Sequence, residues 1–250
     1  MANPFSLEGK VALVTGGNTG LGQGIAVALA AAGADVAVAG IAPPTETIEK
    51  ITALGRRCLA VEANLISIEP VERVVRETIE GLGGLDILVN NAGRQQYCES
   101  IDDLTTADFD ATFKTNVYAP FWITKAALRH LQEGAVIINT TSVQAFKPSA
   151  ILVDYAQTKA CNVAFTKSLA QQLGPRGIRV NAVAPGPYWT PLQSSGGQPQ
   201  SKVQKFGEDT PLGRPGQPVE IAPLYVLFAS DTCSYASGQV WCSDGGTGVL

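Results

Sequence analysis

A tyrosine and a lysine four residues apart, Tyr155 and Lys159, have the types and spacing to transfer a proton. In a helix this spacing places both side chains on one face, where the ammonium can stabilise the phenolate. A phenol ordinarily titrates near pKa ~10, so proton transfer at neutral pH needs a positive neighbour in a site with little water. Many helices carry such a pair by chance, so its meaning depends on the rest of the chain.

A glycine-rich segment near the N-terminus could bind a phosphate. Residues 10–15 form an apolar run of strand length, followed by glycines at 16, 17, 20 and 22 in the spacing T-G-x-x-x-G-x-G, and then by an Ala-rich helical stretch, 23–32. Strand, glycine turn and helix in this order let backbone N–H groups approach a pyrophosphate. Taken by itself, the motif could equally be a glycine-rich turn that binds no ligand.

Further polar motifs follow apolar, strand-like runs. They are Asn90-Asn91-Ala92-Gly93, Thr141-Ser142 and Pro185-Gly186. Together with Asn116, Tyr155 and Lys159, their order and intervals resemble those of the short-chain dehydrogenase/reductase family. The resemblance extends from Leu7 to Gly246 and therefore covers essentially the whole chain.

Alternation of apolar runs with helical segments predicts a single-domain α/β fold over residues 1–250. We expect a Rossmann-type, doubly wound parallel sheet of about seven strands with helices on both faces. Ligands bind such sheets beyond the carboxyl ends of the strands, so the motifs above should share one cleft. Strands are predicted near 10–15, 35–40, 58–62, 85–89, 134–140, 177–183 and 238–242, and helices near 20–32, 44–54, 67–82, 106–131, 154–173 and 218–230.

The resemblance implies four catalytic residues. Tyr155 would exchange a proton with the substrate oxygen, Ser142 would stabilise the developing oxyanion, and Lys159 would lower the tyrosine pKa and bind the nicotinamide ribose. Asn116 would kink the long helix and hold a water that relays protons to Lys159. A strand-end serine that only satisfies backbone groups is the alternative for Ser142.

The cofactor implied by the resemblance is a nicotinamide dinucleotide. Gly40 stands where NAD-specific members usually carry an acid, and no basic residue between Lys10 and Lys50 could pair with a 2′-phosphate. NAD(H) is therefore favoured over NADP(H), unless Arg56 and Arg57 fold back toward the site. The predicted cofactor residues are Gly16, Asn18, Thr19, Gly20, Leu21, Gly22, Ile41, Asn64, Leu65, Asn91, Ala92, Gly93, Tyr155, Lys159, Pro185, Gly186 and Thr190.

The two halves of the chain resemble different substrate branches. The first half is similar to deoxy-ketogluconate dehydrogenases, and the second to bacterial aldehyde, ketone and polyol reductases. Candidate substrate residues are Gln95, Gln144, Tyr188 and Trp189, the last two in a substrate loop at about 187–210. An equal alternative for Gln95 is a polar loop residue that faces solvent and contacts no substrate. Trp189 could simply pack against other residues of its loop.

These motifs predict hydride transfer between a nicotinamide and the carbonyl or alcohol of a small polar compound, such as a ketose, a polyol or a keto-deoxy sugar acid. A 3-oxoacyl thioester reductase and a general carbonyl reductase would use the same catalytic residues. A non-catalytic nucleotide sensor on this fold usually lacks the tyrosine or the lysine, so the presence of both disfavours it.

The composition of the chain disfavours nucleic-acid-binding, membrane and metal-binding proteins. The chain has 250 residues, 45% of them hydrophobic, a net charge of −4 and a pI near 5.1, which disfavour nucleic acid or an anionic membrane as partners. No apolar run reaches ~18 residues and no signal segment opens the chain, so we expect a cytoplasmic protein. Five scattered cysteines and one histidine predict reduced thiols and no metal site.

A homotetramer is the expected assembly, by resemblance. Apolar residues recur at helical spacing in the two long predicted helices and could face either a partner subunit or the core of the same chain. They are Phe113, Val117, Phe121, Ala164, Phe165 and Leu169.

Overall fold

The computed structural model describes residues 3–195 and 200–248, in which seven parallel strands form one sheet. The strand order is β3-β2-β1-β4-β5-β6-β7, so the direction of winding reverses between β1 and β4. A cleft for a ligand opens at such a switch point. The strands are β1 (Val11–Thr15), β2 (Asp35–Gly40), β3 (Cys58–Glu62), β4 (Ile87–Asn90), β5 (Val136–Thr140), β6 (Arg179–Pro185) and β7 (Val240–Ser243).

Helices cover both faces of the sheet. Buried residues of α3, α5 and α6 form one hydrophobic cluster with one face, and those of α1 and α9 form a second cluster with the other. The helices are α1 (Gly20–Ala31), α2 (Thr45–Ala53), α3 (Ile68–Leu82), α4 (Thr106–Phe113), α5 (Ala119–Ala127), α6 (Val153–Leu173), α7 (Pro191–Ser195), α8 (Gln200–Gln204) and α9 (Pro218–Ala229).

Strand alternation explains why both faces are apolar. In β1, Leu13 contacts one cluster, whereas Ala12 and Val14 contact the other. Every residue of β1 is buried, as expected for a parallel strand covered on both sides. The predicted doubly wound parallel sheet of seven strands is therefore confirmed.

The single helix predicted at 106–131 is wrong in two respects. A π-helical turn, Lys114–Tyr118, separates α4 from α5, and α5 ends at Ala127. Pro120 has no N–H to donate to the carbonyl of Asn116 four residues earlier, so a regular α-helical ladder cannot continue there. The Asn116 side chain bonds to a neighbouring loop and to α6, which holds the widened turn in place.

Other differences concern ends of elements. β4 begins at Ile87 and β5 at Val136, each two residues later than predicted, whereas β6 extends to Pro185. β6 is thus shifted two residues toward the C-terminus, which carries Pro185 to the sheet edge just before Gly186 and the substrate loop. Short helices α7 and α8 lie within the predicted loop 187–210, and residues 196–199 of that loop lie outside the described residues.

Candidate active site

A cavity of about 1190 Å³ lies at the carboxyl edge of the sheet. Residues that follow six of the strands line it, among them Gly16 after β1, Asn91 after β4, Thr141 after β5 and Gly186 after β6. All of the residues predicted to bind the cofactor contribute to this lining. The structure thus brings together the motifs that are dispersed in the sequence.

The glycine-rich turn fits a pyrophosphate. Gly16 and Gly20 have positive φ angles of 66° and 55°, which glycine adopts readily. A Cβ on Gly22 would lie 2.1 Å from the Gly16 carbonyl oxygen, so that position requires glycine. No side chain caps α1 at Thr19, and its first turn contains no acid. The first N–H groups of α1 are therefore available to an anion, which the helix dipole also favours.

Gly40 and Asn18 meet at the end of β2. A Cβ on Gly40 would lie 2.6 Å from Asn18 Oδ1, so the Asn18 amide fills the space that a side chain at position 40 would need. Asn64 and Leu65, which follow β3, line the same end of the cavity. This end has the neutral polar groups that a ribose and an adenine would contact.

Arg56 and Arg57 do not reach this end of the cleft. Arg56 pairs with Glu8 and with Asp35 at 2.9 and 3.0 Å, and Arg57 pairs with Asp35 at 2.7 Å. Asp35 is the first residue of β2, and the cofactor cleft lies beyond its last residue, Gly40. Both arginines therefore lie at the amino edge of the sheet.

Ser142, Tyr155 and Lys159 form one wall of the cavity. Lys159 is 3% exposed, and its ammonium lies 5.3 Å from the centre of the Tyr155 ring. That ammonium donates to the Thr140 carbonyl oxygen at 2.9 Å, which ties α6 to the end of β5. Ser142 Oγ donates to the Pro185 carbonyl oxygen at 3.5 Å and accepts the Gln144 N–H at 3.2 Å, and the Ser142 side chain also acts on the pKa of the Tyr155 hydroxyl. A hydroxyl, a phenol and an ammonium therefore converge at one place.

Burial shifts the pKa of both ionisable groups toward the neutral form. It raises the pKa of Tyr155 to about 12, although the hydrogen bond from Ser142 acts in the lowering direction. It also lowers the pKa of Lys159 to about 8. Desolvation thus outweighs the hydrogen bond from Ser142, and the lowering of the tyrosine pKa by Lys159 stays a prediction. The phenol keeps its proton at neutral pH and is ready to donate it.

Asn116 lies behind the catalytic wall and not in the cavity lining. It is fully buried, and its amide bonds both backbone groups of Arg94 at 2.8 Å and the Thr158 hydroxyl at 3.0 Å. A Cβ on Gly93 would lie 3.7 Å from Asn116 Oδ1 and 3.8 Å from Lys159 Nζ. Asn116 therefore sits near the ammonium and braces the loop after β4, and its proton-relay role stays a prediction.

Three of the predicted substrate residues line the cavity. Gln95 is buried, and its Nε2 reaches the Leu192 carbonyl oxygen at 3.5 Å and Gln193 Oε1 at 3.4 Å, so it joins the first cleft loop to α7. Gln144 Oε1 accepts the Ser149 N–H at 2.7 Å. The Tyr188 hydroxyl bonds Ser243 at 2.6 Å. Part of the hydrogen-bonding capacity expected for substrate is thus used within the protein.

Trp189 is not among the lining residues. Its ring packs 6.3 Å from that of Phe206 and is 44% exposed. The structure therefore supports the packing alternative for Trp189. Sequence reasoning also missed the lining residues Arg94, Thr140 and Lys147, and it included Lys202 and Lys205 only as part of the predicted substrate loop. The positive charges of the arginine and the lysines near the motifs were the available signal, but only folding shows that they face one cavity; the uncharged Thr140 gave no such signal.

Within residues 3–195 and 200–248, no cluster of His, Cys, Asp and Glu has the arrangement to hold a metal ion. The five cysteines are all free thiols. No helix in the described part of the chain is both long and apolar enough to cross a bilayer.

Known proteins match almost the full length of the chain. A family model described as enoyl-(acyl carrier protein) reductase matches residues 16–248. General stress protein 39 of Bacillus subtilis (strain 168) is 47% identical over 246 residues, which cover 97% of this chain and 86% of that protein. The glucose and ribitol dehydrogenase of Daucus carota is 41% identical over 250 residues, which cover 96% and 85%. A short chain dehydrogenase from Burkholderia cenocepacia J2315, crystallised in complex with NADP, is 38% identical with a TM-score of 0.88, over 98% of this chain and 99% of that chain.

Sequence and structural similarity over nearly the whole chain, together with a cleft suited to a dinucleotide, identifies the protein as an oxidoreductase that uses NAD or NADP. More narrowly, the chain belongs to the short-chain dehydrogenase/reductase family. The family resemblance carried by the sequence motifs is therefore confirmed.

The two pKa values predict how carbonyl reduction depends on pH. Below about pH 8, Tyr155 holds its proton and Lys159 is cationic; as the pH rises through about 8, Lys159 loses its charge. We expect reductive kcat/KM to be level near neutral pH and to fall above about pH 8, because a neutral lysine no longer stabilises the phenolate left by proton donation. Initial rates at constant ionic strength measure this profile, with circular dichroism as the control for folding. A rate that climbs steadily from pH 8 to 10 would contradict it.

Proposed function

We propose that this protein reduces the carbonyl of a small polar compound, or oxidises the corresponding alcohol, with a nicotinamide cofactor. The observation that carries the proposal is the shared cavity, in which the Ser142, Tyr155 and Lys159 wall lies in one space with the uncapped start of α1. A bound dinucleotide supplies or accepts the hydride. The protein supplies the proton and the charge stabilisation.

Each residue of the wall has a separate part in the reduction. Tyr155 Oη donates its proton to the carbonyl oxygen as that oxygen gains negative charge. The Ser142 hydroxyl donates a hydrogen bond to the same oxygen and holds it against Tyr155. Lys159 offsets the charge left on the phenolate, since its ammonium lies 5.3 Å from the ring. In oxidation, the same groups act in the reverse direction.

Sugar-like substrates are supported by the lining and by one relative. Gln95 and Gln144 place amides in the cavity, and the related carrot protein is named a glucose and ribitol dehydrogenase. A site with such groups discriminates against analogues without hydroxyls, because its own polar groups are then unpaired. A thioester reductase remains the second candidate, since the matching family model is described by a reductase of acyl carrier protein substrates.

Replacement of Tyr155 by Phe tests the reaction directly. It removes the transferable proton and little volume, so we expect unchanged dinucleotide affinity and a loss of about 10²–10⁴-fold in turnover. Ketoses, polyols, keto-acids, aliphatic ketones and acetoacetyl-CoA are screened by absorbance of the reduced nicotinamide. Tyr235→Phe is the matched control, because Tyr235 is fully exposed and lies outside the cavity lining. If Tyr155→Phe retains more than about a tenth of the wild-type activity, Tyr155 is not the proton donor.

We further propose that NADH is preferred to NADPH. The end of β2 has Gly40 and Asn18, and the nearby Lys50 is paired with Glu46 at 2.8 Å and with Gln23 at 3.2 Å. A 2′-phosphate there would find no uncommitted cation in the described part of the chain. The Burkholderia protein binds NADP, so the preference proposed here depends on the residues of this chain and not on its relatives.

Cofactor titrations test this preference. Charge-assisted phosphate contacts contribute about 1.5–3 kcal/mol, so we expect NADH to bind roughly tenfold more tightly than NADPH. Ile41→Arg should raise NADPH affinity and leave NADH affinity little changed, since Ile41 lines this end of the cavity and is 72% exposed. Ile101→Arg is the matched control at a 70% exposed position outside the lining. Tighter binding of NADPH by the wild type would refute the proposal.

A homotetramer is proposed for the assembly. Tyr118, the last residue of the π-helical turn, and Phe121 in α5 are 45% and 47% exposed. Ala160, Cys161 and Ala164 are exposed on α6. Large apolar side chains beside small ones allow close helix packing between subunits. Of the apolar residues named from the sequence, Leu169 is buried and Phe165 packs against the core of its own chain.

Light scattering tests the assembly. We expect a mass of about four times the 26.1 kDa of one chain at micromolar concentration, and a lower mass for Phe121→Glu, which would place a charge in the interface. Leu54→Glu is the control, with similar exposure of 46% at the end of α2. A wild-type mass near 26.1 kDa would rule out the tetramer.

A further inference from the structure

The charge of the cavity is opposite to the charge of the chain. The protein has a net charge of −4, yet the described lining contains a single carboxylate, Asp209. The cationic lining residues are Arg94, Lys147, Lys159, Lys202 and Lys205. A concave site with such an excess concentrates anions. The dinucleotide is itself an anion, so the argument depends on which cations are already engaged.

Three of these cations have partners within the protein. Arg94 pairs with Asp108 at 2.9 Å, and Lys159 donates to the Thr140 carbonyl oxygen at 2.9 Å. Lys202 Nζ lies 3.3 Å from the Tyr97 hydroxyl and 5.0 Å from the centre of its ring. These groups have structural or catalytic tasks that use their charge.

Lys147 and Lys205 are exposed at the cavity, and their ammonium groups form no ion pair or hydrogen bond with the described residues. Lys147 lies in the segment that follows Ser142, where the Ser149 N–H bonds Gln144 Oε1 at 2.7 Å and closes a tight turn. Lys205 follows α8 in the substrate loop. One uncommitted cation is therefore on the segment that carries the catalytic serine, and the other is on the loop expected to contact substrate.

On the segment that follows Ser142, the groups that Gln144 and Lys147 leave for a ligand are donors. Gln144 uses its oxygen within the turn, which leaves its Nε2 without a partner among residues 3–195 and 200–248. Gln144 Nε2 and the two ammonium groups can only donate hydrogen bonds, and an ionised carboxylate can only accept them, so the two are complementary. We infer that the substrate carries a carboxylate, held by Lys147, Lys205 and Gln144 Nε2. Within the proposed function, this inference selects keto-acids and sugar acids over neutral ketoses and polyols.

Paired ligands test the inference through binding. The protein in complex with NADH is titrated calorimetrically with glycerate and glycerol, threonate and threitol, and D-gluconate and D-glucitol, pairs in which a carboxylate replaces a hydroxymethyl group. We expect at least one acid to bind about tenfold more tightly than its alcohol, and this preference to shrink with added salt. Lys147→Gln and Lys205→Gln should each reduce it severalfold. Lys167→Gln, at an exposed lysine outside the lining, should leave it unchanged.

Three results would overturn the inference. The first is that no acid binds more tightly than its alcohol, or that none binds. The second is a loss of NADH affinity in Lys147→Gln and Lys205→Gln equal to the loss for the acids, which would assign both lysines to the cofactor. The third is an effect of these variants confined to acetoacetyl-CoA, which would assign them to thioester phosphates.

The proposed function can fail without the inference failing. If the protein binds acids more tightly than alcohols but reduces no carbonyl, the carboxylate site is supported and the proposed enzyme activity is contradicted. Conversely, reduction of neutral ketoses without any preference for acids keeps the enzyme and removes the carboxylate site.

Discussion

The buried ammonium of Lys159 is the interaction on which the site depends. A charge removed from water is costly unless neighbouring groups replace its hydration. Here the Thr140 carbonyl oxygen accepts from the ammonium at 2.9 Å, and the Tyr155 ring lies 5.3 Å away. The Thr141 hydroxyl also donates to the Lys159 carbonyl oxygen at 2.7 Å, so the end of β5 holds both the backbone and the side chain of this lysine. The position of α6, and with it Tyr155, follows from these contacts.

A second constraint comes from the π-helical turn at Lys114–Tyr118. An asparagine is a poor residue for the middle of a helix, and a widened turn costs regular hydrogen bonds. Asn116 offsets that cost, because its amide satisfies both backbone groups of Arg94 and the Thr158 hydroxyl. The same contacts hold the loop after β4 against α6, where Gly93 lies near Lys159. A local irregularity in the helix thus serves to place two walls of the cleft.

The fold and the cofactor cleft could be predicted because their signals are local. Apolar runs and glycine turns mark strand ends, and the ends of parallel strands must meet at one edge of the sheet, so Gly16, Asn91, Ser142 and Gly186 converge without any knowledge of loops. Trp189 and Gln144 were harder because their partners are set by loop packing. Trp189 packs near Phe206, and Gln144 uses its oxygen for Ser149. The π-helical turn, too, depends on contacts between Asn116 and residues 22 and 42 positions away, which no helical pattern reveals.

The two ends of the cavity differ in charge, and this difference separates two kinds of recognition. At the end of β2, Gly40 and Asn18 present neutral groups, and the arginines that follow α2 are held at the opposite edge of the sheet by Asp35. Near Ser142 and in the substrate loop, Lys147 and Lys205 present charge without a partner in the described structure. The 2′-phosphate of NADPH, bound at the end of β2, would have no cation to pair with. A neutral substrate, bound near Ser142, would leave Lys147 and Lys205 without an anion. Under both proposals, selectivity would come from the charge that the wrong ligand leaves unpaired, which depends on few residues and needs no change in the catalytic wall.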